Sequence, residues 1–252
     1  MTKPTERFTQ TVSDYLKYRP SYPAEVLQVL KKDCGLKASD VVADVGCGTG
    51  FLAKPILAEG NVVYGIEPNA AMRGAAAFYL QDYPNFYLID ATAESTTLEN
   101  HTVDIITVGT AFHWFDIPKT KIEFQRILKP KGWVILAWNV RDVKSKLLQE
   151  YENLIVKYGT DYKDSSASRF DKVAVEDFFK PNEMHVAVFP NKQIFDLAGL
   201  QGRLQSASYC PRPGDKSFAV MMNDLKNIFY RHQHDGFVEF LYETKLYYGH
   251  LS

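Results

Sequence analysis

Val41-Val42-Ala43-Asp44-Val45 runs directly into Gly46-Cys47-Gly48-Thr49-Gly50, and no other stretch of the 252-residue chain restricts the fold as strongly. A short β-branched apolar run reads as a buried parallel strand. Glycines placed at once behind it let the backbone turn tightly and approach a ligand closely, with a helix N-terminus ready to follow. Glycine spacing separates the nucleotide loops that could occupy this place. A dinucleotide fingerprint needs its third glycine at position 51, which is Phe51, and a phosphate-binding Walker loop ends in Gly-Lys-Ser or Gly-Lys-Thr, which is absent. Here the glycines alternate, and Asp44 stands two residues before the first. A carboxylate there can orient the loop or accept from the ammonium of an amino-acid ligand, whereas it would repel a pyrophosphate. Glu67 closes the next apolar run, where a carboxylate can take both ribose hydroxyls. Capping of a turn would explain Glu67 equally well by itself.

The elements around the loop alternate. Helical spacing covers Ala24 to Cys34, with Gly35 as a C-cap, and a helix is predicted from Gly50 or Phe51 to Gly60. Strands are predicted over Val62–Ile66, Phe86–Ile89, Val103–Val108 and Gly132–Trp138, the last after a Pro130-Lys131-Gly132 turn. Helices over Ala70–Leu80, capped by Asn69, and Lys119–Leu128 lie between them. This order predicts an α/β fold: a doubly wound parallel sheet covered on both faces. Beyond Asn139 the rhythm changes. A long helix is predicted over Val143–Tyr158, a polar loop or lid over Thr160–Asp171 and a strand over Met184–Phe189. Helices over Ile194–Gln205 and Phe218–His232 follow, then a final strand over Phe237–Tyr248 with an irregular middle. One domain is expected: an N-terminal lid and first helix (1–35), a ligand-binding core (40–139), a cap or insertion (140–183) and completion of the sheet (184–252).

Composition narrows the partners. Twenty-nine Lys and Arg against thirty Asp and Glu give a net charge of -1, so no overall field gathers nucleic acid or anionic lipid. No apolar run is long enough to span a bilayer, and the polar first residues lack the apolar centre of a secretion signal. Cys34, Cys47 and Cys210 are too scattered for a disulfide framework or a paired-cysteine metal site, which suits a reducing cytoplasm. Cys47 reads as a small apolar filler of the loop, with no His or Lys beside it in sequence. No metal is expected; the oligomeric state is left open between monomer and homodimer.

VVADVGCGTG, YGIEPNAAM, ATAES, VDIITVGTAFHWF and ILKPKGWVILAWN follow one another across residues 40–139. In that order the segments resemble the class I S-adenosylmethionine-dependent methyltransferases of the type 11 group, including the subset with the trans-aconitate and ubiquinone-type enzymes. The resemblance implies a Rossmann-like seven-stranded sheet of order 3-2-1-4-5-7-6, its last strand antiparallel, and S-adenosylmethionine as cofactor. It implies that Asp44, Gly46, Cys47, Gly48 and Gly50 form the cofactor loop, that Glu67 binds the ribose, and that Pro68 and Met72 line the adenine. Thr92 and Ala93 occupy the place beside the adenine amino group; Thr92 departs from the frequent Asp there, and Asp90 is the residue that could compensate. Val108, Gly109 and Thr110 offer backbone groups near the departing methyl. In the aromatic, basic run Tyr15 to Pro23, Tyr15 and Arg19 resemble the family's closing lid, with Arg19 meeting a methionine or substrate carboxylate.

Acceptor-side candidates are Tyr18, Tyr22, His113, Trp114, Trp138 and Tyr209; the segment Ser206-Ala207-Ser208-Tyr209-Cys210-Pro211 resembles one that lines the acceptor side in the same subset, with a turn that meets no ligand as the alternative. His113, after the fourth strand, is the candidate base because imidazole titrates near neutrality; packing on Trp114 is the competing role. A small organic acceptor is expected. A module of this fold that binds cofactor without turnover is the alternative, and a nicotinamide oxidoreductase is disfavoured by Phe51 and Asp44.

Overall fold

The structure is a computed structural model that describes residues 12–160, 162 and 172–251. Its seven-stranded sheet contains β1 (Val41–Val45), β2 (Val62–Ile66), β3 (Phe86–Ile89), β4 (Val103–Gly109), β5 (Leu128–Arg141), β6 (Met184–Phe195) and β7 (Val238–His250), in the order β3-β2-β1-β4-β5-β7-β6. The pairings from β3 through β5 are parallel, while β7 is antiparallel to both β5 and β6. That is the Rossmann-like order expected from the sequence. Between β1 and β4 the winding reverses, and the carboxyl ends of strands at such a point diverge to leave a crevice.

The helices are α1 (Val12–Tyr18), α2 (Ala24–Lys32), α3 (Ala53–Ala58), α4 (Ala70–Tyr79), α5 (Ile117–Ile127), α6 (Lys146–Tyr158), α7 (Lys172–Phe179), α8 (Leu197–Gln205) and α9 (Phe218–His232). Alternation along the strands divides the core. Ala43, Val45, Ile106, Val108, Val134 and Leu136 pack with Phe124 and Ile127 of α5 and with Phe178 and Phe179 of α7. Their neighbours Val42, Ile105, Ile135 and Leu246 face the other way, onto α2 and α3. Period-two burial on both faces is why these strands read as uninterrupted apolar runs. A third cluster joins α6, α8 and α9 to Phe195, Phe240 and Tyr242. Tyr18 of α1 packs at its edge, directly over Gly202 of α8, where a Cβ would overlap the Tyr18 ring.

Caps explain several departures from the predicted boundaries. Asn69 Oδ1 accepts from Met72 N at 2.9 Å and starts α4 as expected. Ser145 caps α6 through Leu148 N, so that helix begins at Lys146 and not Val143. Asp196 Oδ1 accepts from Gly199 N at 2.7 Å, which makes Ile194 and Phe195 the end of a twelve-residue β6 instead of the start of a helix. α7 was not expected, although Val175, Phe178 and Phe179 are buried at helical spacing. β7 pairs in continuous register on both sides, so its expected irregular middle is absent. Of the expected lid at 160–171, all but Thr160 and Tyr162 lies outside the described residues.

Candidate active site

The glycine loop leaves β1 and folds back on the end of β2. Gly46, Gly48 and Gly50 have φ of 67, 56 and 87°, the left-handed region open to glycine at little cost, and this is the physical reason for their alternation. Their surroundings differ. A Cβ on Gly46 would lie 2.6 Å from Ala111 Cβ and one on Gly50 2.5 Å from a Leu80 methyl, whereas nothing lies within 4 Å of a Cβ on Gly48. Two of these glycines thus serve packing as well as conformation; Gly48 faces open space.

Glu67 braces the loop. Its Oε2 accepts from Gly48 N at 2.9 Å and its Oε1 from Asn69 N at 2.8 Å. The acid therefore caps its own turn and also fixes the loop, with lone pairs left for further donors. Burial raises its pKa, opposed by those two backbone bonds. Asp44 is 1% exposed. Its Oδ1 accepts from Thr107 Oγ1 at 3.0 Å, and its Oδ2 has no hydrogen-bond partner among the described residues. Burial pushes its carboxyl up to about 7, against the Thr107 bond and with help from Glu67. A buried carboxylate oxygen with no donor suits a ligand that brings a cationic one.

A cavity of about 640 Å³ runs along the carboxyl ends of the parallel strands. At one end Glu67, Pro68, Met72, Thr92 and Ala93 form its wall, in the middle Gly46, Gly48, Gly109 and Thr110, joined by Tyr15 of α1 and by Arg19 just after that helix. Trp114, Trp138 and Tyr209 belong to the far end, joined by Arg141, Glu152, Tyr162, Arg203, Ser208 and Lys245. A smaller adjoining recess of about 80 Å³ takes in Asp44, Cys47 and Tyr22 together with Arg19 and Arg203. Tyr22 Oη lies 3.1 Å from Thr110 Oγ1 and would sit 2.7 Å from a Cβ on Gly109. Thr110 itself has a φ of 54°, a conformation costly for a branched residue and concentrated at functional sites.

Not every candidate reaches the cavity wall. Val108 is wholly buried in the core and Gly50 packs on Leu80. Tyr18 belongs to the α8 contact. Asp90 is drawn away by Arg73, whose Nη2 donates to it at 2.6 Å, so it does not compensate for Thr92. Cys47 is a buried thiol raised well above its ordinary value by that burial, in keeping with a filler. His113, expected as the base, is absent from the cavity wall. In the 3-10 turn Phe112–Trp114 it is Trp114 that lines the cavity, while the His113 ring packs against Trp114 at 4.9 Å between centroids.

The far end holds residues that sequence reasoning missed. Arg141, at the end of β5, donates from Nη2 to Glu152 Oε2 and Tyr162 Oη, both at 2.7 Å, and from Nη1 to Tyr209 Oη at 3.2 Å. Arg203, 2% exposed, donates from Nε to Tyr242 Oη at 2.9 Å and lies over the Phe240 ring. Arg19 donates from Nη2 to Ser206 O at 3.0 Å. Burial would raise the Tyr209 phenol, yet Arg141, Arg203 and Arg19 together lower it. No motif marks Arg141, Glu152 or Arg203; only the tertiary fold brings β5, α6 and α8 together around Tyr209.

The sheet order and the glycine loop at its switch point define a Rossmann-like methyltransferase fold. Residues 43–136 match the methyltransferase domain family. The chain is 28% identical to an uncharacterized methyltransferase of Mycobacterium tuberculosis, over 81% of this chain and 77% of the relative. An uncharacterized methyltransferase of Schizosaccharomyces pombe is 26% identical over 60% of this chain; the match spans only 59% of that relative. A putative type II methyltransferase from Anaeromyxobacter dehalogenans shares the fold at a TM-score of 0.63, with 18% identity, covering 92% of this chain and 95% of that one. A putative methyltransferase from Anabaena variabilis does so at 0.62, with 20% identity, covering 93% and 99%. The matched domain, the methyltransferase relatives and the shared fold support a class I S-adenosylmethionine-dependent methyltransferase, and S-adenosylmethionine is the cofactor that family implies. The residues present fit that group: a donor-seeking Asp44 oxygen, a bare Gly48 on the cavity wall and a buried Glu67. Among the described residues no helix is long and apolar enough to cross a membrane.

Proposed function

We propose that the protein transfers a methyl group from S-adenosylmethionine to an oxygen, nitrogen or carbon nucleophile of a small organic acceptor in the cytoplasm. The observation that carries this reading is the cavity with Glu67 toward one end, the glycine loop in its middle beside the recess that holds Asp44, and an aromatic, arginine-bearing wall at the other end. Asp44 would take the cofactor's ammonium, Glu67 the ribose, Pro68, Met72, Thr92 and Ala93 the adenine, and Arg19 the carboxylate under the α1 lid with Tyr15. Gly46, Gly48, Gly109 and Thr110 supply the close backbone. When bound, the cofactor supplies an activated sulfonium methyl, whose C–S bonding pair stays on sulfur as the acceptor's lone pair forms the new bond. The chain's own part is then to align the acceptor and exclude water. Trp114, Trp138 and Tyr209 form the wall that would hold the acceptor. Three cysteines, all free and buried, suit a reducing compartment.

Titration with S-adenosylmethionine, S-adenosylhomocysteine and NADH tests the cofactor assignment. Binding of the first two without NADH is expected; NADH binding with no response to the others overturns it. Gain of one methyl on a component of a metabolite extract, followed by mass spectrometry, tests turnover and excludes a purely binding role. In the same assay His113→Ala is expected to keep transfer within about tenfold of wild type, because a general base contributes on the order of a hundredfold or more. A loss of that larger size would restore His113 as the base.

A further inference from the structure

Arg141 and Arg203 line the far end of the cavity, and Arg19 adjoins Arg203 in the recess beside it. Glu152 neutralises Arg141 through a 2.7 Å pair, and Lys245 on the same wall is matched by Glu243 at 3.4 Å. Arg19 and Arg203 have no acidic partner among the described residues; each donates to a neutral oxygen, a backbone carbonyl and a phenol respectively. Arg203 Nη1 and Arg19 Nε are buried with no hydrogen-bond partner at all among these residues. An unpaired buried charge costs several kcal/mol, and a guanidinium cannot shed its proton to escape that cost. Such a pair is retained where a ligand brings the missing anions.

The proposed cofactor brings one carboxylate, and its ammonium is matched by Asp44 in the recess that Arg19 and Arg203 share. One carboxylate serves one of the two guanidiniums and leaves the other without an anion among the described residues. We infer that the acceptor supplies the second anion: it is a small acid whose carboxylate is held by Arg203, with its apolar body against Trp114 and Trp138. This rests on the methyltransferase reading, because the cofactor's carboxylate is the first anion of the count. A carboxylate matches the planar guanidinium fork of Arg203 in two parallel hydrogen bonds. The same guanidiniums lower the Tyr209 phenol beside them.

The test is calorimetric titration at saturating S-adenosylhomocysteine with straight-chain carboxylates from acetate to decanoate, phenylacetate, their primary amides and inorganic phosphate. In the wild type the best carboxylate is expected to bind at least about tenfold more tightly than its amide, the scale of one charge-assisted hydrogen bond. Arg203→Met should remove that preference, Arg203→Lys should keep part of it, and both should hold S-adenosylhomocysteine within about threefold of wild type. If Arg203→Met does not fold, as judged by thermal unfolding, Arg203→Lys and the acid–amide comparison decide. Carboxylates no better than amides, or phosphate preferred to both, would overturn the inference. So would loss of S-adenosylhomocysteine affinity in both Arg203 variants with the acid preference intact, which would give Arg203 to the cofactor. Failure of the wild type to bind S-adenosylhomocysteine would be a different result: it would overturn the methyltransferase reading itself.

Discussion

Gly48→Leu is expected to weaken S-adenosylhomocysteine binding by at least about a hundredfold while leaving a folded protein. The two effects separate because of where the Cβ goes. Gly48 has a φ of 56° and no atom within 4 Å of an added Cβ, so the first side-chain atom there meets no protein and a longer side chain extends beside the cavity that Gly48 lines. Folding loses the left-handed preference, about 1–2 kcal/mol, a tolerable fraction of a domain's stability. Binding loses the volume the ligand needs. Gly48 N would also be pulled from Glu67 Oε2, now at 2.9 Å, unlocking the loop from the start of α4. The neighbouring glycines make the control: on Gly46 the new Cβ would sit 2.6 Å from Ala111 Cβ, so Gly46→Ala should lower the thermal midpoint more than Gly48→Ala does. Calorimetric titration and thermal unfolding of the variants check both halves. Affinity of Gly48→Leu within a few-fold of wild type would remove the loop from the binding site.

That loop was legible because its logic is local. Glycines at alternate positions, a β-branched strand before them and an acid at the end of the next strand are all consequences of neighbours in sequence, and β1, β2 and β3 begin and end where those residues predict. The far end of the cavity was not. Arg141, Glu152, Tyr162, Arg203 and Lys245 come from separate elements and acquire meaning only once β5, α6, α8 and β7 are assembled. Arg203 in particular lies in α8 with no motif around it, yet it is buried against Tyr242 and Phe240. His113 shows the opposite relation. Its residue type and its place after β4 suggested acid–base chemistry, but in a 3-10 turn adjacent side chains diverge, and Trp114 takes the wall. At β6 the apolar residues Ile194 and Phe195 suit either element, and the Asp196 cap decides for strand.

Asp44 sets a pH dependence that the cofactor should reverse. Its carboxyl titrates near 7 in the fold against an ordinary 3.8, mainly because burial disfavours the anion. Below about pH 4 the folded and unfolded chains both hold this proton, and Asp44 contributes nothing to the difference. Between about 4 and 7 the unfolded chain gives it up while the folded one keeps it, so stability falls as pH rises through that window. Above 7 the full cost is present, about 4 kcal/mol for a shift of this size. Glu67, also raised by burial, acts in the same direction. Asp44→Asn keeps an oxygen for the Thr107 hydroxyl and removes the titration. Without ligand, the variant should match wild type near pH 4 and exceed it in stability at pH 8, with the gap opening across that range. Ligand binding should show the inverse. An ammonium facing Asp44 favours its ionised form, so S-adenosylhomocysteine should bind the wild type more tightly at pH 8 than at pH 5.5 and release a proton at the lower pH. Asp44→Asn should bind more weakly at pH 8 and lose most of that slope. Denaturant unfolding and calorimetry in buffers of differing ionisation enthalpy measure the two sides. A stability gap between wild type and Asp44→Asn that stays constant from pH 4 to 8 would show Asp44 to be charged in the fold throughout, held by a donor other than the ligand.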